Sequence, residues 1–277
     1  MACFKHAGLR LRYECSGKGP AALLLHGIGA SAGEWDFQLP ALEPDHTVIR
    51  LDLRGHGRSD LGAAFTIGDL AADAAALLAH LGVARAHVIG HSLGGAVALS
   101  FALNYPERIS SLTLANTFAR WRPASSVSGE RALRRLWFLA RGDLQALNAF
   151  IAEGMFPGPE LAALRHGAIE RLNANLRPDT RRVLWRTLLA VAGFDERGRL
   201  GRVAAPTLVV IAGRDSTVSP ACSEELATGI PLARRLVLAD AGHGLPMEIP
   251  TVFNSAWRRF AMALSEGGAT HIRQSQS

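Results

Sequence analysis

The sequence predicts an α/β fold, in which a mostly parallel sheet is flanked by helices and carries a helical insertion. Short apolar runs typical of buried strands alternate with helical stretches, as at 47–51, 111–116 and 207–211. The strand pattern stops after residue 116 and returns only at 206, and apolar residues recur at helical spacing in between. A chain of 277 residues that is 48% hydrophobic and 19% charged can bury the core that such a fold needs.

The chain divides into a core, an insertion and a tail. Residues 1–117 and 203–265 form the predicted α/β core, and 118–202 form the insertion. Four helices are the smallest number that explains the apolar spacing and the breaks in the insertion. The tail, 266–277, is polar and contains glycine, so we expect it to be mobile. Helix breaks in the insertion are predicted at 142–143, 157–159 and 177–179.

Residues 86–95 contain the most specific motif. They read Ala-His-Val-Ile-Gly-His-Ser-Leu-Gly-Gly, in which an apolar run ends at Gly90, Ser92 follows, and a helical stretch begins. This sequence of strand, sharp turn and helix is typical of a nucleophile elbow, whose small residues at Gly90 and Gly94 let the strand and the helix pass closely. The alternative is an ordinary turn with a solvated serine. Whether the chain also contains a base, an acid and oxyanion donors distinguishes the two interpretations.

A nucleophilic serine requires a base, and a carboxylate that orients the base. The candidate base is His243, which lies between Gly242 and Gly244 after a predicted strand. The candidate acid is Asp215, directly after another apolar strand, although this position also suits a turn or a helix cap. The order Ser92, Asp215, His243 is the order that such a catalytic triad has along the chain.

Two other polar residues follow predicted strands. Asp240 is the alternative acid nearest to His243 in sequence, and its position is also typical of a surface residue. Asn116 ends an earlier strand but supplies no charge. Asp215 therefore remains the predicted acid.

Backbone amides that stabilise an oxyanion come from a glycine-rich turn after an early strand. Residues 22–30, Ala-Leu-Leu-Leu-His-Gly-Ile-Gly-Ala, supply that turn. We predict the oxyanion hole at the amides of Ile28 and Leu93, the second being the residue after the serine. His26 and the charged loop 52–60 are interpreted as groups that brace these loops.

These motifs occur in the order that they have in the α/β-hydrolases, and the chain resembles a small single-domain member of that family from about residue 8 to about residue 264. The resemblance implies that 118–202 is a helical cap, which shields the serine from water and shapes the substrate pocket. The stretches 114–120 and 222–231 are similar to those of bacterial 3-oxoadipate enol-lactonases and related carboxylesterases.

Residue identities exclude several relatives of this fold. Haloalkane dehalogenases and epoxide hydrolases resemble it but use a carboxylate nucleophile, where this chain has Ser92. Epoxide opening also uses cap tyrosines, whereas the tyrosines here are Tyr13 and Tyr105. The sequence contains no His-Glu-x-x-His motif and no Cys/His cluster with ligand spacing, so we expect neither a metal nor another cofactor.

The motifs together predict hydrolysis of a carboxylic ester or lactone through an acyl-enzyme, with Ser92 as nucleophile, His243 as base and Asp215 as the orienting acid. A carbon-carbon bond hydrolase and a cofactor-free perhydrolase use the same triad and are the alternatives. A ligand-binding receptor that keeps the fold without turnover is the alternative from another class.

The insertion supplies the candidate substrate contacts and most of the positive charge. Residues 118–202 carry fifteen arginines against eight acidic residues, and the whole chain has a formal charge of +6. This charge either coats a solvated face or attracts anionic substrates, and no nucleic-acid-binding motif accompanies it. Four aromatic residues are predicted to line the pocket: Trp121, Trp137, Phe156 and Trp185.

The cysteine content and the N-terminal sequence indicate the cellular compartment in which the protein is expected. Cys3, Cys15 and Cys222 cannot all pair, and residues 1–11 contain no apolar segment as long as a secretion signal. No apolar run approaches the length of a membrane span. We therefore expect a cytoplasmic protein with reduced thiols, whose partner is a small-molecule ester or lactone rather than a nucleic acid or a membrane.

Overall fold

The computed structural model describes residues 2–122 and 126–274, with side chains in 2–122 and 129–264. The strands of this part of the chain are β1 (Ala2–His6), β2 (Leu9–Gly17), β3 (Ala21–Leu25), β4 (Thr47–Leu51), β5 (Ala86–His91), β6 (Ile109–Ala115), β7 (Thr207–Ala212) and β8 (Ala233–Leu238). Its α-helices are α1 (Leu39–Leu42), α2 (Ile67–His80), α3 (Leu93–Asn104), α4 (Ser126–Arg141), α5 (Leu144–Met155), α6 (Ala162–Ala174), α7 (Thr180–Ala192), α8 (Pro220–Gly229), α9 (Leu245–Glu248) and α10 (Pro250–Gln274). Short 3₁₀ helices cover Ala32–Trp35, Pro106–Arg108, Pro159–Leu161 and Arg197–Arg202.

All the described strands belong to one sheet, whose order is β1-β2-β4-β3-β5-β6-β7-β8. Strand β2 pairs antiparallel with β1 and with β4, and every other pairing is parallel. The predicted mostly parallel sheet is thus confirmed. Because β3 lies between β4 and β5, the winding direction of the chain reverses at β3, and the loops after β3 and β5 open a crevice at the carboxyl ends of these strands.

Both faces of the sheet are buried, which explains the uninterrupted apolar runs in the sequence. On β3, Leu23 and Leu25 belong to the core cluster that contains residues of α2, α3 and α8, whereas Ala22 and Leu24 belong to the cluster on the other face, with α1 and α10. Side chains of a strand alternate between the two faces, so a central strand needs an apolar residue at every position. The triad candidates follow β5, β7 and β8 of this sheet.

Helices α4 to α7 lie between β6 and β7, in the segment predicted as the insertion. The predicted breaks at 142–143, 157–159 and 177–179 fall between successive helices of this group. At the first break the carboxylate of Asp143 accepts a hydrogen bond from the amide of Ala146 at 3.1 Å, which caps α5.

The last helix, α10, includes 266–274 of the predicted tail, and 275–277 lie outside the described residues. Among the helices of the described chain, none combines the length and the apolar character needed to cross a membrane.

Candidate active site

Ser92 stands at the sharp turn between β5 and α3, as the motif predicts. Its backbone angles, φ 53° and ψ −117°, lie in a region that residues with a side chain rarely adopt. A Cβ at Gly90 would lie 2.2 Å from the carbonyl oxygen of Gly94, and a Cβ at Gly94 would lie 2.0 Å from the carbonyl oxygen of Leu25. Only glycine fits at these two positions, so the packing of strand against helix fixes the turn that presents the serine hydroxyl.

Three side chains from three loops meet at this hydroxyl. The Oγ of Ser92 lies 3.0 Å from Nε2 of His243, and Nδ1 of His243 lies 2.6 Å from Oδ2 of Asp215. The other carboxylate oxygen, Oδ1, accepts hydrogen bonds from the amides of Thr217 and Val218 at 2.8 and 2.9 Å. When the Nδ1–H donates to Asp215, Nε2 is the nitrogen that can accept the serine proton.

The environment of His243 favours its neutral form. Burial lowers the pKa of this imidazole, the carboxylate of Asp215 opposes that effect, and the positive charges of His91 and Arg135 lower the pKa further. The net pKa lies below the ordinary value of 6.5. Because a neutral imidazole accepts a proton, His243 can act as a base at neutral pH.

The loop that carries His243 is fastened by Asn116, at the end of β6. The Nδ2 of Asn116 donates to the carbonyl oxygen of His243 at 2.9 Å, and its Oδ1 accepts from the amide of Ala212 at 2.9 Å. Asp240, the alternative acid, is exposed and pairs with Arg214 at 2.7 Å. The structure therefore brings Asp215, and not Asp240, to the imidazole.

The two predicted oxyanion donors lie on either side of the crevice. Leu93 is the first residue of α3, so its amide has no acceptor within the helix. Ile28 lies in the loop after β3 and lines the same cavity as Ser92. Within the described part of the chain, the amide of Ile28 donates no hydrogen bond. Both amides are thus available to an oxygen atom bound beside the serine.

A buried ion pair lies next to the triad, and no motif in the sequence predicted it. The Oε1 of Glu34 lies 2.9 Å from Nδ1 of His91, and Nε2 of His91 donates to the carbonyl oxygen of His243 at 2.8 Å. The carboxylate also accepts from the amide of Gly27, in the loop after β3. Since a carbonyl oxygen and an ionised carboxylate both accept hydrogen bonds, both ring nitrogens of His91 donate when Glu34 is ionised, and the ring is then positively charged.

The charges of this pair are stabilised by each other. Burial by itself would raise the pKa of Glu34, but the charge and hydrogen bond of His91 bring it below its ordinary value. Burial would lower the pKa of His91, but the charge and hydrogen bond of Glu34 raise it. The pair therefore links the oxyanion loop to the backbone of His243 through one fixed hydrogen-bond network.

His26 and Asp52 brace the neighbouring loops, as predicted. The Nε2 of His26 accepts a hydrogen bond from the amide of Leu53 at 3.0 Å. The Oδ1 of Asp52 accepts from the amide of Ala32 at 2.7 Å. These contacts tie the loop after β3 to the loop after β4.

Ser92 and His243 lie on the wall of a cavity of about 310 Å³, a size that suits a small molecule. Loops of the α/β core form one side of it, and helices of the insertion form the other side, which is mostly apolar. The apolar residues that the insertion contributes are Leu139, Leu147, Ile151, Met155, Ala168, Leu172, Leu184 and Leu188.

The prediction that four aromatic residues of the insertion line the pocket was wrong. Trp121 packs half-buried against the main core, and Phe156 is fully buried in a separate cluster with Met247. Trp137 and Trp185 are 54% and 37% exposed, away from the cavity wall. Helical spacing identifies an apolar stripe but not the surface that the stripe faces, and aliphatic residues of the same helices take the wall positions instead.

Comparisons with known proteins agree with this geometry. Residues 20–250 match the family model of the alpha/beta hydrolase fold. A candidate carbamate hydrolase, RutD, from Variovorax paradoxus is 35% identical over 269 residues, which cover 93% of this chain and 98% of that protein.

Solved structures give the same result. The enol-lactonase from Burkholderia xenovorans LB400 has a TM-score of 0.85 at 25% identity, with 94% of this chain and 100% of that chain covered. A thermophilic esterase from Thermogutta terrifontis has a TM-score of 0.78 at 30% identity, with 95% and 97% covered. With its sheet order, its elbow and these matches, the chain belongs to the α/β-hydrolase family.

Proposed function

We propose that the protein is a serine hydrolase that cleaves small carboxylic esters or lactones through an acyl-enzyme. The observation that carries the proposal is the hydrogen-bond chain from Asp215 through His243 to Ser92, with distances of 2.6 and 3.0 Å, on the wall of a cavity. The esterase and the enol-lactonase among the similar structures support this substrate class.

In the first half of the reaction, Ser92 Oγ attacks the carbonyl carbon while His243 Nε2 takes its proton. The amides of Ile28 and Leu93 donate to the oxyanion that forms. Asp215 holds the imidazole in the required tautomer and stabilises the imidazolium. His243 then returns the proton to the leaving alkoxide, and the acyl group stays on the serine.

In the second half, water takes the place of the alcohol. His243 accepts a proton from the water as it attacks the acyl-enzyme, and Ser92 leaves with that proton. The apolar helices over the cavity limit the number of other water molecules near the ester.

Carbamate cleavage is a second candidate, favoured by the 35% identity to RutD. A carbamate presents a carbonyl carbon of the same shape to Ser92, so the same groups would act on it. The two candidates differ in the reactivity of the carbonyl, because the carbamate nitrogen donates electrons into it and slows the attack.

The test is a panel of short-chain esters and carbamates that share one leaving alcohol, together with simple lactones, assayed on the purified protein. We expect turnover of esters or lactones, and a loss of about four to six orders of magnitude in kcat for Ser92→Ala with an almost unchanged melting temperature. A fluorophosphonate should label Ser92 in the same preparation. A folded protein that neither turns over any member of the panel nor takes the label would be a ligand-binding receptor instead. Product analysis with diketone substrates, and with added peroxide, checks the carbon-carbon hydrolase and perhydrolase alternatives.

A further inference from the structure

Arg135 is one of two arginines that line the cavity in the described chain. It lies on α4, lines the cavity together with Ser92 and His243, and is half-buried. Its Nη2 donates to Oγ1 of Thr217 at 2.9 Å. Its Nε is buried and has no hydrogen-bond partner among the described residues. A guanidinium has five N–H donors, so this one is left with donors to spare.

No carboxylate of the described chain forms an ion pair with Arg135. Among the described residues, two carboxylates lie on the cavity wall, and each is already paired: Glu34 with His91, and Asp36 with Arg50. Asp215 attracts the guanidinium from a distance, but it is occupied by its hydrogen bonds to the imidazole and to two amides. The cavity therefore contains a cation that no carboxylate of the described chain neutralises.

The electrostatic environment makes an anion favourable there. Burial lowers the pKa of Arg135 to about 10, and the charge of Arg131 on the same helix adds to this effect. A second guanidinium on the cavity wall, Arg171, lies 5.5 Å from the ring centre of Phe37 and belongs to no ion pair of the described chain. Two cations without ionic partners face one small volume, and a bound carboxylate would relieve the cost of burying the charge of Arg135.

We propose that the substrate carries a carboxylate that pairs with Arg135, so that the natural substrate is an ester with a second, free carboxylate, as in a half-ester of a dicarboxylic acid. The inference rests on the proposed hydrolase function and adds the substrate class. In the bound state the carboxylate accepts hydrogen bonds from the guanidinium, and the hydroxyl of Thr217, whose oxygen already accepts from Arg135, has its own proton left to donate. The aliphatic wall formed by Leu139, Leu184 and Leu188 contacts the methylene chain between the carboxylate and the ester.

The probes are pairs of methyl esters that differ in one group. Monomethyl succinate, monomethyl glutarate and monomethyl adipate are each compared with the ester in which –CONH₂ replaces –CO₂⁻. The amide has nearly the same size and shape but no charge, so the ratio of kcat/KM for acid over amide reports the recognition of charge alone. We expect wild-type protein to prefer the acid tenfold or more for at least one chain length, as for a charge-assisted hydrogen bond in a partly buried site.

Arg135→Gln should bring that ratio close to one, and Arg135→Lys should keep part of it. Arg134→Gln is the matched control, because it removes the same charge from the same helix, and Arg134 is exposed and does not line the cavity. This control should leave the ratio at its wild-type value. Thermal melting of each variant reports folding independently of the ratio.

Two results would overturn the inference. One is a wild-type protein that cleaves acid and amide esters equally well. The other is an Arg135→Gln variant that loses activity on both by the same factor, which would mean that Arg135 only supports the loop of Asp215. Failure of the proposed function looks different, because the wild-type protein would then cleave neither ester and Ser92 would not react with a fluorophosphonate.

Discussion

Replacing Ser92 by glycine should stabilise the fold relative to replacing it by alanine. At φ 53° and ψ −117° the backbone of Ser92 lies where a Cβ is unfavourable. Such a conformation costs about 1–3 kcal/mol for a residue with a side chain, and glycine does not bear that cost. Against this, glycine has about 0.5–1 kcal/mol more conformational entropy to lose on folding than alanine.

The balance favours glycine by about 1 kcal/mol. Both variants lose the hydroxyl and its hydrogen bond to His243, so the comparison isolates the backbone. For a domain of this size the difference corresponds to about 2 °C in melting temperature. Urea denaturation with a shared m-value is the more direct measurement, because it reports the free energy of unfolding.

Ser100 provides the control. It lies inside α3, is not among the residues with positive φ, and its hydroxyl accepts a hydrogen bond from Asn104 at 3.2 Å. Ser100→Gly should be less stable than Ser100→Ala by about 1 kcal/mol, as in any helix interior. The reasoning is refuted if Ser92→Gly unfolds at the same or lower urea concentration than Ser92→Ala while the Ser100 pair behaves as expected. The strain at the nucleophile would then not exist in solution.

The remaining predictions concern the acid, the base and the buried pair. Asp215→Asn should lower kcat by about four orders of magnitude through a misoriented imidazole, whereas Asp240→Asn should keep wild-type kcat; the reverse pattern in ester turnover would reassign the acid. Because the pKa of His243 lies below 6.5, the midpoint of the fall in kcat/KM on acidification should lie below pH 6.5, and a midpoint at or above pH 6.5 would contradict this. Glu34→Gln should reduce the free energy of unfolding by about 3 kcal/mol, as for removal of one partner of a buried pair. This effect should be largest between pH 4.5 and 6.5, because the lowered pKa of Glu34 stabilises the fold above 4.5 and the raised pKa of His91 does so below 6.5. Urea unfolding at several pH values measures it, and a constant difference from pH 4 to 9 would exclude the ion pair.

The sheet and the order of the triad could be predicted from the sequence because both leave local signals. A buried parallel strand is a short apolar run, and the elbow requires glycine at Gly90 and Gly94 for steric reasons that any sequence with this turn must satisfy. Each triad residue also lies in the loop or turn after a predicted strand. Since parallel strands end at one edge of a sheet, residues 151 positions apart in the chain, Ser92 and His243, were expected at one place, and their atoms lie 3.0 Å apart.

Glu34 could not be predicted in the same way. It lies in a short 3₁₀ helix, and its partner His91 is 57 residues away, so no local pattern relates the two. An acidic residue in such a position is usually solvated. The one available clue was that His91 adjoins the nucleophile in a run that is otherwise buried.

The insertion was harder to interpret than the core for a physical reason. Its helices pack against one another and against the core loops, and an amphipathic stripe satisfies either arrangement equally well. The pattern thus identified the helices and their breaks, whereas the choice of Trp137 and Trp185 as pocket residues needed knowledge of which way each helix is rotated. Rotation is set by tertiary packing, and it placed smaller aliphatic side chains at the cavity.

The same distinction applies to the charge of the insertion. Of its fifteen arginines, two line the cavity in the described chain, Arg135 and Arg171, and several of the others pair with acidic residues at the surface. A net charge counted over the whole segment therefore describes mostly a solvated face. The cations that can act on a substrate are the few inside the cavity that have no ionic partner. They are identified from their positions in the structure and not from the net charge. Ser92, Asp215 and His243 lie on loops of the α/β core, whereas Arg135 and Arg171 lie on α4 and α6 of the insertion. The side chains that the insertion places on the cavity wall can therefore change while these three residues stay in place.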